Sequence, residues 1–467
     1  MCPPTRRTAL RMLGTGGIAS LAGCPSQSTT TDNGERPPDA LGTTWTPPDD
    51  EWRFPRGGLR NTAHSEATHQ RPTQEWQAQA QSTEQGLLQQ THLAAVTGEL
   101  VVLGTEREDG LELSAYDVAD ETNRWSRRLE NSDSLYPQFG GLVDGTLYLS
   151  DFETDVIAVD ASDGTVRWRI DLYERVAAAV PEQSLIESSR SRDRFAPVPA
   201  ATPDCVYVQT SYGIHGLAPG DGHERWRISL GDELEDDEVL QDPGGLALTD
   251  GRVVASYGRP DQLLYGVQRY DDELTVDRTT VPVQYPSQPL VTGTGTTVLG
   301  SGVIWSTDAT GMLAAGAAGT STVNWEFQGM ASTGAAAFST VASDGTRVFV
   351  CEGHEKTGEF VVFALRADTG GLEWLYRESI PESGIDPSSD MDFRVAHPAV
   401  ASGTLLVGYG TSAEQGGATG TMVALSTTAG TRQWRTGLSI APRDIAPTEA
   451  GIYIGGRRGG LIGLTQS

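Results

Sequence analysis

The sequence predicts an all-β fold, a β-propeller of about eight four-stranded antiparallel sheets set around an axis. Three observations lead there. A unit of about 50 residues recurs along the chain, each copy holds short strands with period-2 alternation, and most copies close on a tryptophan.

The clearest copy runs from Gly140 to Leu172, GGLVDGTLYLSDFETDVIAVDASDGTVRWRIDL. It reads as an apolar strand, a DG turn, an alternating strand, another strand ending near Asp160, a Gly-containing turn and a strand bearing Trp168. Other copies close at Trp125, Trp226, Trp374 and Trp434, and a looser one at Trp325. The unit near Gly244 to Val283 carries YDDELTVDRTTV in place of its tryptophan. A single such sheet cannot bury both faces, so neighbours must stack until a ring shuts. Each tryptophan, late in its unit and hence on the outermost strand, can wedge between adjacent sheets, where its loss would cost about 3–5 kcal/mol. The two ends of the chain complement one another. PTQEWQAQA around Trp76 is a lone outer strand, and the terminal DIAPTEAGIYIGGRRGGLIGLTQS supplies three strands without a tryptophan. The N-terminal strand is therefore expected to complete the last sheet.

With strands named A to D from the axis outward, A–B and C–D turns share one face, and B–C and D–A connections share the other. The first set is uniformly tight (VTG, VDG, TDG, ASG; SDG, GDG, DTG, TAG). The second holds nearly all the length variation, including Tyr173 to Phe195, Arg377 to Ala396 and Tyr409 to Gly420. Variable loops gathered on one face of a rigid ring are where binding surfaces are built. Arg190, Arg192 and Arg194 (SRSRDRF), with Arg457 and Arg458, belong to that face, where arginine forks could take a carboxylate- or phosphate-bearing partner, protein or small anion. The competing reading pairs them with nearby acids as a solvated rim.

A formal charge of −28 excludes nucleic acid as a partner, because no basic stripe is available to displace counterions. Lys356 is the single lysine. Acid-rich, lysine-poor surfaces resemble those of proteins from extreme halophiles, where molar salt shortens the Debye length to roughly 3 Å.

The N-terminus has its own pattern. Thr5 to Arg11, with Arg6 and Arg7 together, is similar to a twin-arginine export signal. The mildly apolar Met12 to Gly23 that follows falls short of the roughly 20 residues a bilayer span needs. Leu21-Ala22-Gly23-Cys24 resembles a lipobox, which makes Cys24 the lipid attachment point. These features divide the chain into an export signal (1–23), a lipidated cysteine with a flexible spacer (24–48) and the propeller (49–467), placed at the extracytoplasmic face of the cell membrane. One acyl chain binds a membrane only marginally, so a dual-chain anchor is expected. Cys205 and Cys351 lie in separate strand-like runs and read as buried, unpaired thiols.

The repeat, with its "DG-apolar-apolar" turn and its "D-x-x-x-G-x-x-x-W"-like close, resembles the pyrroloquinoline-quinone (PQQ)-type propeller family over about Trp52 to Ser467. WRFPRGGLRNTAHS (Trp52 to Ser65) is similar to a strap common at the start of such domains. The family includes quinone-dependent alcohol dehydrogenases and non-enzymatic scaffolds of the outer-membrane-assembly type. The resemblance implies, for the dehydrogenases, a quinone in a central funnel with calcium, an aspartate base and often a ring of two adjacent cysteines. None of the four cysteines here adjoins another, and no Glu/Asn/Asp set stands out. The zinc pattern HExxH fails at His354-Glu355, the histidines show no metal-like spacing, and Asp160 to Gly164 reads as turn chemistry rather than a calcium loop. The expected function is a non-catalytic binding scaffold or receptor without cofactor or metal. The alternative is a PQQ-dependent dehydrogenase with calcium.

Overall fold

The computed structural model describes residues 41–43, 45–48, 51–78, 91–107, 110–129, 137–151, 154–179, 197–230, 241–259, 263–270, 273–280, 289–292, 296–300, 312–316, 323–328, 336–338, 341–354, 358–380, 392–412, 419–456 and 460–465. Their strands form eight sheets, here first to eighth: residues 91–129, 138–171, 198–229, 241–280, 290–328, 336–379, 392–438, and 442–465 joined by 74–78. Within each sheet the strands pair antiparallel in chain order, A to D, as alternating hydrophobic hairpins do. A strands touch from sheet to sheet, the eighth against the first. The fifth and sixth sheets share a core of Leu290, Val298, Val341 and Val348. The A strands therefore border the axis, in the architecture of a β-propeller. The eighth sheet draws on both ends of the chain. Gln74–Ala78 pairs antiparallel with Leu461–Thr465, Trp76 opposite Gly463, as the lone N-terminal strand predicts.

The tryptophans lock neighbouring sheets. The indole N–H donates to a carbonyl in the C–D turn of the next sheet: Trp125 to Ala161 (2.9 Å), Trp168 to Pro219 (2.9 Å), Trp325 to Ala367 (3.0 Å) and Trp374 to Thr427 (2.8 Å). The turn glycine explains the repeated spacing. Gly164, Gly222, Gly370 and Gly430 all hold positive φ, and a Cβ at each would come within 2.5–2.7 Å of Trp125, Trp168, Trp325 and Trp374 respectively. Each glycine thus seats the tryptophan of the preceding unit, not its own. Trp226 is buried edge-on to Tyr207, ring centroids 5.6 Å apart.

Where the chain ends meet, this lock changes. Glu121, at φ 58, takes the place of the turn glycine in the first sheet, and the eighth sheet has no C–D turn because its D strand arrives from the N-terminal side. Trp76 and Trp434, the tryptophans facing these two sheets, are buried with indole N–H groups that find no acceptor among the described residues.

The segment leading into the ring compensates. Trp52 pairs with Val96 of the first sheet, and carbonyls along the strap accept backbone N–H groups from five others. Arg53 takes Leu142 (second sheet), Leu59 takes Leu248 (fourth), Arg60 takes Val291 (fifth), Thr62 takes Ser343 (sixth), and Ala63 takes Val400 (seventh), at 2.7–2.9 Å. His64–Ser65 then runs parallel to Ala399–Ala401 before the chain joins the eighth sheet. Tyr207 of the third sheet donates to the Gly42 carbonyl at 2.9 Å. Residues 41–78 thus touch all eight sheets, and from Trp52 onward they meet them in ring order. The contacts lie where A strands end, so the strap fills the axial mouth on the tight-turn face. The coiling needs left-handed backbone at Gly57 and Asn61 (φ 76 and 56). Asn61 also ties the fourth sheet to its neighbour, donating from Nδ2 to Leu246 O and Pro289 O at 2.7 Å each.

Two sequence expectations change. Residues 41–43 and 45–48 were expected in the flexible spacer, yet Leu41 is fully buried and Gly42 bridges to Asp250, because an apolar side chain finds a core slot between sheets. The connection after the second sheet, expected as a loop from Tyr173, opens with a helix, Leu172–Ala179. Asp171 caps it by accepting from Glu174 N at 3.0 Å, and the Ala-rich run favours the helix. Cys205 and Cys351 are buried and neither is in a disulfide among the described residues, and burial pushes the Cys205 thiol up to about 12.

Two predictions follow from packing and burial. Gly403 (φ +81) has nothing within 4 Å of an added Cβ, whereas Gly430 (φ +64) has Trp374. Gly403→Ala should cost about 1–2 kcal/mol from backbone strain alone, and Gly430→Ala about 3–4 kcal/mol because Trp374 must also move; denaturant midpoints compare them. His69 is buried with Nε2 unpartnered among the described residues, and burial pulls its pKa from 6.5 to about 4. The unfolded chain therefore takes the proton first. The stability His69 contributes is complete above pH 6.5 and lost as pH falls towards about 4. His69→Gln should flatten the decline of unfolding free energy across that window; an unchanged slope would rule the assignment out.

Candidate functional site

A polar cluster lies on the axial wall where the seventh, eighth and first sheets meet. The A strands are irregular there. Register shifts between Pro442 and Asp444 in the eighth sheet and between Leu93 and Ala95 in the first. The seventh sheet's A strand is split into Asp392–Val395 and Ala399–Ala401. Such bulges re-aim side chains. Asp444 is the centre of the cluster. Its carboxylate accepts from Leu93 N of the first sheet (3.2 Å) and lies 3.0 Å from His397 Nδ1 of the seventh. His397 N donates to Arg443 O at 2.8 Å. One side chain of the eighth sheet thus ties both neighbours.

His92 Nε2 lies 2.7 Å from Glu106 Oε1. The carboxylate can only accept, so Nε2 carries the proton, and the Arg443 guanidinium 3.3 Å from it is a neighbour rather than a donor. Arg56 of the strap lies fully buried in the floor and donates to the Val341 carbonyl. Burial lowers its pKa to about 10, against the pull of Asp444. Burial would raise the pKa of Asp444, but the bond from His397 and the charge of Arg443 outweigh it and hold the carboxyl well below its usual range. Burial lowers the pKa of both His92 and His397; Arg443 adds to this, and the nearby carboxylates oppose it. At neutral pH the cluster holds two carboxylates, two guanidiniums and two neutral imidazoles, near electrical balance.

The His397 side chain is 32 % exposed against 14 % for Asp444 and 12 % for His92, and its Nε2 has no partner among the described residues. The arrangement suits holding sheets in register while offering one imidazole to an axial ligand or water. A second constellation looks more like an enzyme's relay but is closed. Thr210 Oγ1, His215 and Glu224 are linked at 2.9 and 2.8 Å. Thr210 and His215 are fully buried, and the Thr210 hydroxyl accepts Tyr212 N–H, so this chain fastens strands of the third sheet.

Arg6, Arg7, Cys24, Arg190, Arg192, Arg194, Arg457 and Arg458 lie outside the described residues. Sequence reasoning passed over the axial cluster by treating the histidines as scattered. Aligning the repeats on the A–B turn glycine would have found it, since His92 and His397 each stand six residues before that glycine, Gly98 or Gly403.

A family model described as outer membrane protein assembly factor BamB matches residues 110–257. The repeat is of the PQQ-like type. A comparison with curated protein sequences returns no match. Among solved structures, this PQQ-like propeller is similar to a europium-containing methanol dehydrogenase at 12 % identity and TM-score 0.54, covering 87 % of this chain and 89 % of that one. It is similar to the quinohemoprotein alcohol dehydrogenase of Comamonas testosteroni at 10 % identity and TM-score 0.53, covering 90 % and 81 %. BamB from Moraxella catarrhalis aligns at 17 % identity and TM-score 0.44, over 70 % and 82 %. At such identities the likeness is one of fold.

Removing the Asp444 carboxylate leaves the buried Arg56 and the half-buried Arg443 short of counter-charge and Leu93 N unpaired. Asp444→Ala should therefore destabilise the PQQ-like propeller by about 3–5 kcal/mol, with Asp444→Asn in between. A denaturation midpoint for the alanine variant near wild type would refute the tie.

Proposed function

We propose that this propeller is exported, held at the extracytoplasmic face of the membrane by lipid on Cys24, and acts as a non-catalytic binding scaffold through its variable-connection face. In this reading the eight sheets are the blades of one closed ring. The observation that carries it is the strap: the chain's own backbone fills the axial mouth on the tight-turn face, while length variation collects on the opposite face. The partner engages that face, with Arg190, Arg192, Arg194, Arg457 and Arg458 supplying cationic contacts to an anionic protein surface or small anion.

A quinone dehydrogenase is the second reading, favoured by the fold shared with the two alcohol-oxidising enzymes. The described axial residues fit a calcium-held quinone poorly. Asp444 and Glu106 are each committed to a histidine beside an arginine, and among the described residues no three His, Cys, Asp or Glu side chains converge as a metal set. No chemical step is assigned to these residues.

The test pairs two measurements in molar salt. Protein incubated with PQQ and calcium should retain no quinone absorbance and drive no dye-linked alcohol oxidation; a stoichiometric quinone band with dye reduction would overturn the scaffold reading. Crosslinking in native membranes should capture a defined partner, and alanine at Arg190, Arg192 and Arg194 together should reduce that capture severalfold.

A further inference from the structure

The point at which the chain enters the fold carries an orientation. Leu41 is fully buried in the core shared by the second to fourth sheets. Gly42 bridges to Asp250 in the A–B turn of the fourth sheet, and Thr43 N donates to Thr249 O at 2.9 Å. The seat admits only glycine at position 42, since φ is +74 and a Cβ would lie 2.0 Å from Thr249 O. The first described residues therefore lie at the tight-turn end of the fourth sheet, on the face the strap occupies.

We infer that the tight-turn face is the membrane-proximal side of this protein and that the variable-connection face is presented away from the bilayer. The inference rests on the reading of Cys24 as the lipid anchor. Between Cys24 and Leu41 the chain lacks apolar patterning. As a coil, these 17 residues have an end-to-end distance of about 23 Å, and fully stretched they reach about 60 Å. An eight-residue strand spans about 26 Å, so the two faces differ in distance from the anchor by about as much as the tether's own typical length. The exposed carboxylates of the tight turns, Asp120, Asp144, Asp163, Asp221, Asp250 and Asp368, add a repulsion from anionic headgroups. The face stands off the lipid instead of lying flat on it.

The single lysine makes the test direct. Lys356 falls in the sequence between the strands Arg347–His354 and Glu359–Arg366, whose facing ends His354 and Glu359 lie opposite the tight turns. Pairing Lys356→Arg with Asp163→Lys moves the only lysine to an exposed tight turn. Each chain, starting at Cys24, is coupled through the Cys24 thiol to maleimide-bearing phosphatidylcholine vesicles containing an acceptor dye; Cys205 and Cys351 are buried and do not compete. A donor dye is then placed on the lysine, with the α-amine contributing equal background to both chains. Energy transfer should be about twofold or more stronger from position 163 than from position 356. Equal or reversed transfer would overturn the orientation. Because coupling is chemical, that outcome is separate from the anchor itself, which is tested by the mass of the Cys24-containing peptide from native membranes. An unmodified cysteine there would remove the anchor reading and leave the face geometry standing.

Discussion

The structure depends on one backbone constraint: a single stretch, residues 41–78, supplies hydrogen bonds or a strand to every sheet of the ring. Sheets that pack only against neighbours form a chain of pairwise contacts, free to open wherever one interface is weak. A segment that meets the sheets in ring order couples them, since separating any two strains the strap as well. Where the chain ends meet, Trp434 and Trp76 are buried without the indole hydrogen bond found at four other interfaces. There the D strand of the eighth sheet is itself the strap's continuation, and Asp444 ties the seventh and first sheets.

The strap also divides the molecule functionally. It occupies the axial mouth at one end, and its Arg56 forms the floor beneath His92, His397 and Asp444. The cluster's near-balance of charge marks it as part of the wall, with the His397 side chain half-buried.

Much of this was legible in the residues. Strand alternation, turn glycines and the tryptophan spacing are local patterns, and the joining of the strand around Trp76 to the last sheet followed from counting which sheet lacked a strand. The roles within the pattern were less accessible. The glycine and the tryptophan of one unit look like partners in sequence, yet Gly430 seats Trp374 and Gly370 seats Trp325, an arrangement visible only once neighbouring sheets stack. The spacer was read through Pro48 because its composition is polar; one leucine, Leu41, is enough to dock its end when a slot between sheets is waiting.

By itself, the sequence determined the all-β repeat, the sorting of tight and variable connections onto opposite faces, and the joining of the two chain ends, because these follow from side-chain period, turn chemistry and strand count. Only the tertiary structure decided the strap's circuit, the Asp444 tie and the face on which the first described residues lie. Those depend on groups far apart in the chain, Leu93 with Asp444 or Arg56 with Val341, brought together by the stacking of the sheets. No local pattern encodes which carbonyl or carboxylate a buried donor will meet across an axis, since the meeting exists only after every sheet is in place.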